Sequence, residues 1–227
     1  MAATQVVPGQ TVASDIFLNE KMEAAISSAE ISTSPGNDTK NLDSNLLVVS
    51  PYTEREHLLD LRTLDAENAL LARALVHMRA LRPDYATANY SETFNWTEII
   101  EQHLESLVRE GGHQWKNTCF FIVAFRSQIP PTTKYADLGA MDKAAHAEAT
   151  ASGGFLKYWF GTPDQDGRNL ATCIWRSEPE AKEGGKGPAH RKAAGATRHL
   201  YTHWKIERYR LTICDDLQSW DLVDWAD

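Results

Sequence analysis

The sequence predicts an α+β protein built on a ferredoxin-like βαββαβ unit with an antiparallel sheet. Residues 119–213 alternate between apolar, strand-like runs and helical patterns in the order strand, helix, strand, strand, helix, strand, which is the order of that unit. Turn-forming residues separate the runs, among them Pro130, Gly153 and the segment TPDQDGRN. Two amphipathic helices are expected to precede the unit.

The core elements follow from residue type and spacing. Aromatic and β-branched residues mark the strands, and apolar residues at helical spacing mark the helices. Pro188 suits the first turn of the second core helix, and residues 178–187 are expected to form a flexible loop. The predicted elements are a strand at 119–128, a helix from 135 or 137 to 152, strands at 155–161 and 170–177, a helix from 188 to 201, and a strand at 204–213.

The first core strand predicts that both faces of the sheet are covered. All residues from Phe120 to Phe125 are apolar, although successive residues of a strand point to opposite faces. One face belongs to the two core helices. A second copy of the chain, as in a dimeric α+β barrel, or the two preceding helices of the same chain would cover the other face, and the sequence leaves both coverings open.

Around this core we expect one folded domain, residues 53–227, behind a disordered tail at 1–52 that is rich in Ser, Thr and Asn. Residues 53–112 form a helical extension. Its first helix follows Asp65 and ends before Pro83, and its second runs from Asn95 or Thr97 to Gly111. Residues 214–227 form an acidic, tryptophan-containing tail that docks on a sheet edge or a second subunit, or serves as a linear motif for a partner.

Composition excludes several classes of function. The 227 residues are 42% hydrophobic and 24% charged, and the net charge of −8 argues against a nucleic-acid partner. The three cysteines are odd in number and widely spaced, so no disulfide framework is implied. Neither a secretory signal nor an apolar run of the roughly 18 residues that suggest a membrane span is present. We therefore expect a cytoplasmic protein without a membrane partner.

Two histidines are the candidate catalytic groups. His146 follows Asp142 by one helical turn, so a carboxylate could orient an imidazole that acts as a general base. His190 opens the second core helix beside Arg191 and Lys192, where a helix start could hold an anion. Ordinary surface pairing explains the first arrangement equally well, and a solvated basic helix end explains the second. We predict no metal and no cofactor, because phosphate-binding loops, a nucleophile elbow and CxxC pairs are missing from the sequence.

Charged and aromatic residues on the predicted strands are candidate substrate contacts. Arginines near a core need partners, which are either protein carboxylates or a substrate carboxylate. Large aromatic side chains line a cavity or simply fill the core. The candidate contacts are Arg126, Tyr158, Trp159, Trp175, Arg176 and Arg208.

Several sequence blocks between Leu59 and Ile213 resemble those of a fungal family of uncharacterised proteins. The blocks are LDLRTLDAENALLARAL, FNW, FRSQ, SGGFLKYWFGTPD, RNLATCIWRS, GPAHRKA and IERYRLTI. More distantly, the strand order and the tryptophan-bearing third strand before a histidine-bearing helix are similar to the dimeric α+β barrel superfamily, which includes antibiotic-biosynthesis monooxygenases. The fungal resemblance implies no activity. The superfamily resemblance implies a pocket between helices and sheet, used elsewhere for cofactor-free oxygenation, haem breakdown, cyclisation or isomerisation.

These observations favour a cofactor-independent enzyme acting on a hydrophobic small molecule, such as a secondary metabolite. It would be a cyclase, isomerase or monooxygenase in which His146 or His190 handles protons. The sequence allows two alternatives, a non-enzymatic ligand-binding or assembly protein and a haem-binding α+β barrel protein. A homodimer is one expected assembly.

Overall fold

The computed structural model describes residues 43–133 and 135–226. The predicted disordered tail therefore lies mostly outside the described residues. The elements before the core unit are β1 (Leu46–Val48), β2 (Leu58–Asp60), α1 (Ala66–Ala74), α2 (Tyr90–Thr93) and α3 (residues 96–110). Helix α3 is continuous, and its middle part, Ile99–Leu104, is π-helical. The elements that follow are β3 (Thr118–Gln128), α4 (Tyr135–Ser152), β4 (Phe155–Phe160), β5 (Arg168–Trp175), α5 (Glu178–Gly184), α6 (Pro188–Leu200), β6 (His203–Ile213) and β7 (Trp220–Asp224).

The sheet has the strand order β4-β5-β3-β6-β7, and every neighbouring pair is antiparallel. The first and last core strands, β3 and β6, pair at the centre, and β5 and β4 follow on the other side of β3. This is the arrangement of a ferredoxin-like unit with one additional edge strand. The predicted fold class is confirmed.

The extension face of the sheet, which carries Phe120, Ile122 and Ala124, lies under the preceding helices of the same chain. These three side chains are at most 1% exposed. Tyr90 of α2 stacks on Tyr209 of β6, with 4.5 Å between ring centroids, and its hydroxyl lies 2.7 Å from Thr172 Oγ1. Of the two coverings that the sequence allowed, the structure has the one within a single chain. A homodimer formed through another surface stays a prediction.

Arg126 fastens the extension to this face. Its side chain is largely buried and donates to Glu207 Oε2 at 2.7 Å and to the main-chain carbonyls of Tyr85, Ala86 and Ala88 at 2.7 to 3.1 Å. The guanidinium thus satisfies a carboxylate and three carbonyls of the loop before α2. Arg126 is occupied by the protein itself, as the structural alternative expected.

The opposite, core-helix face carries Phe121, Val123 and Phe125 and supports α4, α5 and α6. The helices α4 and α6 pack against each other. Among the described residues, none of the side chains of α6 is buried. The covering of this face is therefore much looser over β6 than over β4.

Two segments differ from the sequence-based expectation, and a third follows one of its alternatives. Residues 43–52, expected in the disordered tail, include β1, which pairs with β2, and Val49, which is fully buried. Residues 178–184, expected in a loop, form helix α5, because Pro179 occupies its first turn and Arg176 holds Glu180. The acidic tail forms β7 on the edge of β6, which is the first of the alternatives considered for it.

Candidate active site

Five side chains form a buried polar cluster between α4 and the end of the sheet at β4. Asp142 and His146 lie one turn apart on α4, and Tyr158 points toward them from β4. Tyr52 and His57 come from the segment between β1 and β2. The hydrogen bond from Tyr158 N to Val49 O, 2.9 Å long, holds this segment against the edge of the sheet. We call these five residues the polar cluster.

The centre of the cluster is a pair of histidines. The Nδ1 atoms of His57 and His146 are 2.8 Å apart, and the two side chains are 1% and 5% exposed. One ring must donate and the other accept, so the bond requires at least one neutral imidazole. Nε2 of His146 is buried and has no hydrogen-bond partner among the described residues. A buried polar atom without a partner is unfavourable for folding and therefore calls for an explanation.

Asp142 does not bond to His146, in contrast to the sequence-based prediction. Its Oδ2 accepts from Tyr52 OH and its Oδ1 from Tyr158 OH, both at 2.5 Å. Burial raises the pKa of this carboxyl, although the two hydroxyl donors and the positive charge that His190 and His57 can carry each lower it. The pKa values of both tyrosines are raised, mainly by burial and then by the carboxylate. Asp142 thus influences the histidine pair through charge rather than through a hydrogen bond.

Burial also keeps His146 neutral. It lowers the pKa of the imidazole to about 3, with a smaller contribution from His57. The ring lies among aromatic neighbours, with centroid distances of 5.1 Å to Phe155, 5.2 Å to Tyr52 and 5.5 Å to Tyr158. A neutral imidazole in an apolar box can accept a proton at neutral pH, provided that a ligand or neighbour stabilises the resulting charge.

The core-helix face is exposed along β6, and we call this strip, which carries Trp204, Ile206 and Arg208, the groove. Tyr158, Cys173, Val123 and Arg208 form one row across four neighbouring strands. Beside this row, Trp204 is 38% and Ile206 41% exposed, although both belong to a face that helices should cover. This apolar floor is therefore open to solvent over β6.

The other predicted catalytic histidine, His190, has a structural partner. Glu148 of α4 accepts from the main-chain N–H groups of Ala189 and His190 at 2.6 and 3.0 Å, and lies 3.0 Å from Nδ1 of His190. The start of α6 does hold a carboxylate, but it is the carboxylate of the protein. We therefore do not retain His190 as a proton-transfer group.

The predicted substrate contacts divide between the two faces. Trp159 and Arg126 lie on the extension face, where Trp159 packs against Phe94. Arg176 donates to Glu180 at 2.8 Å, and Trp175, 3% exposed, packs against Phe155. Tyr158 belongs to the polar cluster, and Arg208 is exposed on the core-helix face. These last two lie in one row across the core-helix face.

Sequence reasoning missed Tyr52 and His57. Tyr52 lies 90 residues from Asp142, and His57 lies 89 residues from His146. A local spacing pattern does not reveal contacts at such separations. A signal did exist in the unusual density of aromatic and ionisable residues in PYTEREH, at the point where the polar tail ends.

The described ranges contain neither a cluster of metal-ligating side chains nor a membrane-spanning helix. Within residues 43–133 and 135–226, no set of three or more His, Cys, Asp and Glu side chains is grouped so that it could hold a metal ion. No helix in these ranges combines the length and apolar character needed to cross a membrane.

Comparison with known proteins identifies the family. The profile described as PB2B2.08-like matches residues 48–224. The chain belongs to the PB2B2.08-like family. UPF0643 protein PB2B2.08 of Schizosaccharomyces pombe (strain 972 / ATCC 24843) is 38% identical over 199 residues, which are 82% of this chain and 87% of the relative. The resemblance to a fungal uncharacterised family is confirmed, and all five residues of the polar cluster lie within the PB2B2.08-like match.

Solved structures are similar to the core of this PB2B2.08-like protein. Rv0793 from Mycobacterium tuberculosis is 19% identical at a TM-score of 0.36 and covers 39% of this chain and 91% of its own. SnoaB, a cofactor-independent oxygenase from Streptomyces nogalater, is 16% identical at a TM-score of 0.35, and the match covers 39% of this chain and 89% of SnoaB. A proposed antibiotic biosynthesis monooxygenase from Chloroflexus aurantiacus J-10-fl is 19% identical at a TM-score of 0.33, and the match covers 39% of this chain and 89% of that protein. The ferredoxin-like assignment rests on the strand order itself.

Proposed function

We propose that this protein is a cofactor-independent enzyme that moves a proton on an apolar small molecule, as an isomerase or a cyclase does. The observation that carries the proposal is the unpartnered, buried Nε2 of His146. Its Nδ1 is held by His57 at 2.8 Å. A buried base with one nitrogen fixed and the other free is arranged to receive a proton from a bound molecule.

The histidine pair can share the charge that proton transfer creates. When His146 donates its Nδ1 proton to His57, Nε2 of His146 carries the lone pair. A C–H proton of the substrate moves to this Nε2, and the Nδ1 proton can then pass to His57, which spreads the positive charge over two rings. After exchange with solvent, the histidine pair returns a proton to a different carbon of the substrate, so the step needs no oxidant or reductant and carries a solvent label into the product.

Asp142 supports this step through its charge. A positive charge on His57 lowers the pKa of the Asp142 carboxyl, and by reciprocity an ionised Asp142 stabilises that charge. Tyr52 and Tyr158 hold the carboxylate in place through two hydrogen bonds. In this scheme His146 is the catalytic residue, whereas His57 and Asp142 are positioning residues.

Hydrogen exchange tests the proposal without knowledge of the natural product. The protein is incubated in D₂O with a panel of apolar ketones and enones, and deuterium incorporation at carbon is measured by mass spectrometry. We expect catalysed exchange that His146→Leu lowers by about 10²- to 10⁴-fold, while His199→Leu, at an exposed position of α6, leaves it unchanged. Full exchange by a folded His146→Leu protein would overturn the proposal, and O₂ consumption in the same incubation would indicate a monooxygenase instead.

A further inference from the structure

We propose that the groove binds an amphipathic carboxylate, whose anionic end contacts Arg208 and Arg210 and whose apolar body reaches toward the polar cluster. This inference rests on the proposed function and names the class of its substrate. The groove is the exposed strip of the core-helix face along β6.

The register of β6 places the two arginines on the groove side. Trp204, Ile206, Arg208 and Arg210 are alternate residues of one strand, and the pairing with β3 is continuous from Thr118 to Gln128. Alternate residues of a regular strand share a face. The exposed apolar pair and the arginine pair therefore form one stripe, apolar at the α6 end and cationic at the other.

The arginines have no ion-pair or hydrogen-bond partner for their side chains in the described part of the chain. Asp221 of β7 lies on the same face, one residue pair beyond Arg210, yet it forms no ion pair with that arginine among the described residues. The arginines of β3 and β5, in contrast, hold Glu207 and Asp164. Arg208 and Arg210 are thus free to bind a carboxylate from outside.

The floor of the groove suits an apolar or aromatic body. Phe125 stacks on Trp204 with centroids 5.4 Å apart, and Trp204 contacts Tyr201 at 5.0 Å. Tyr201, at the end of α6, thus extends the aromatic floor beside Trp204. Aromatic surfaces in a half-open cleft bind flat or extended apolar groups.

The sheet also sets the length of the ligand. Tyr158 and Arg208 lie in one row, three strand spacings apart. At about 4.8 Å per spacing this corresponds to about 14 Å. A carboxylate whose reacting carbon lies about ten bonds from its charged end would span this distance after allowance for the side chains.

Equilibrium dialysis with decanoate and 1-decanol tests the assignment on the full-length protein. We expect decanoate to bind at least about tenfold more tightly than the alcohol, the factor expected for one charge-assisted hydrogen bond. In the double variant Arg208→Gln, Arg210→Gln this preference should fall to within about twofold of unity. The control Arg109→Gln changes an exposed arginine of α3 and should retain the preference, as should His146→Leu.

Equal binding of the two probes by the wild-type protein, or binding of neither, would overturn the inference. So would binding only to vesicles of phosphatidylserine and phosphatidylcholine, because that result would assign the arginines to a membrane surface. Thermal melting of each variant shows whether it is folded. If decanoate binds through the arginines but no ketone exchanges deuterium, the ligand assignment holds and the proposed function fails. If a ketone exchanges deuterium but decanoate does not bind through the arginines, the ligand assignment fails and the proposed function holds.

Discussion

The two faces of the sheet differ in how completely their side chains are buried and paired. On the extension face, Tyr90, Phe94 and Trp96 are at most 2% exposed, and Arg126 satisfies four acceptors of the protein. On the core-helix face, a buried histidine nitrogen has no partner among the described residues, while Trp204 is 38% exposed.

Folding alone favours apolar contact and paired polar groups. Arg126 on the extension face follows that rule, although Nε1 of Trp96 there is also buried without a hydrogen-bond partner among the described residues. On the core-helix face, the exposed Trp204 and Ile206 depart from the rule, and we propose that a ligand binds there. The comparison predicts that substitutions on the extension face change stability, whereas those on the core-helix face change binding and turnover.

The largest effect is expected for Arg126→Ala. The change leaves the three carbonyls without their donor and takes one partner from Glu207, which keeps Lys205 and Tyr209. At about 1–3 kcal/mol for each unsatisfied group, the free energy of unfolding should fall by about 3–5 kcal/mol. Urea denaturation measures this loss. Arg168→Ala, which breaks more exposed ion pairs, should cost less than about 1 kcal/mol. Equal losses in the two variants would contradict the structural role assigned to Arg126.

Lys157 is an exception on the extension face and sharpens the comparison. It is 8% exposed, and its ammonium group has no ion-pair partner among the described residues. Burial lowers its pKa to about 8. The unfolded chain then binds more protons between pH 8 and 10.5, so stability should rise with pH across that window.

Lys157→Met should accordingly raise the free energy of unfolding at pH 7 by about 2–3 kcal/mol and remove the alkaline rise. Lys116→Met, at an exposed position, serves as the matched control and should do neither. A destabilised Lys157→Met protein would mean that the ammonium group has a favourable partner.

The histidine pair predicts a loss of stability in acid. Because the pKa of His146 is lowered from 6.5 to about 3, the unfolded chain binds more protons between those values. The contribution of neutral His146 to the free energy of unfolding is complete above pH 6.5 and is lost as the pH falls toward 3. Asp142 acts in the opposite direction, since its pKa is raised and its protonation favours the folded state. We expect a net loss of about 2 kcal/mol between pH 6.5 and 4, which denaturation at both pH values would detect. A profile in His146→Leu identical to that of the wild type would reject this assignment.

The smallest stability effect should accompany a large functional one. Replacing both members of a buried hydrogen-bonded pair by apolar residues can be nearly neutral, so the double variant His57→Leu, His146→Leu should unfold within about 1 kcal/mol of the wild type. Single His146→Leu leaves His57 without its partner and should cost about 1–3 kcal/mol. If the double variant is less stable than the single one, the pair serves the fold and not a reaction.

The ferredoxin-like core could be predicted from the sequence because its information is local. Strand β3 is apolar from Cys119 to Phe125, α4 ends at a glycine pair, and Asp164 and Gly167 form the turn before β5, with Gly167 at a φ of +75°. Each of these signals acts within a few residues. The extension could be predicted as two helices for the same reason, since Asp65 caps α1 by accepting from Asn68 N at 3.0 Å.

The site could be predicted only in part. His146 and Asp142 are in the cluster, but their helical spacing suggested a mutual hydrogen bond that the structure does not contain. Asp142 instead faces tyrosines from two other segments, and His146 faces His57, 89 residues away. Partners at such separations depend on how the segment after β1 packs against β4, and residue spacing carries no information about that packing.

Amide hydrogen–deuterium exchange with and without decanoate tests the contrast between the two faces most directly. We predict that decanoate slows amide exchange in peptides covering 201–210 and 52–58, and leaves exchange in α1 to α3, at residues 66–110, unchanged. Protection confined to residues 66–110, with no change in β6, would place the ligand on the extension face and contradict binding on the core-helix face.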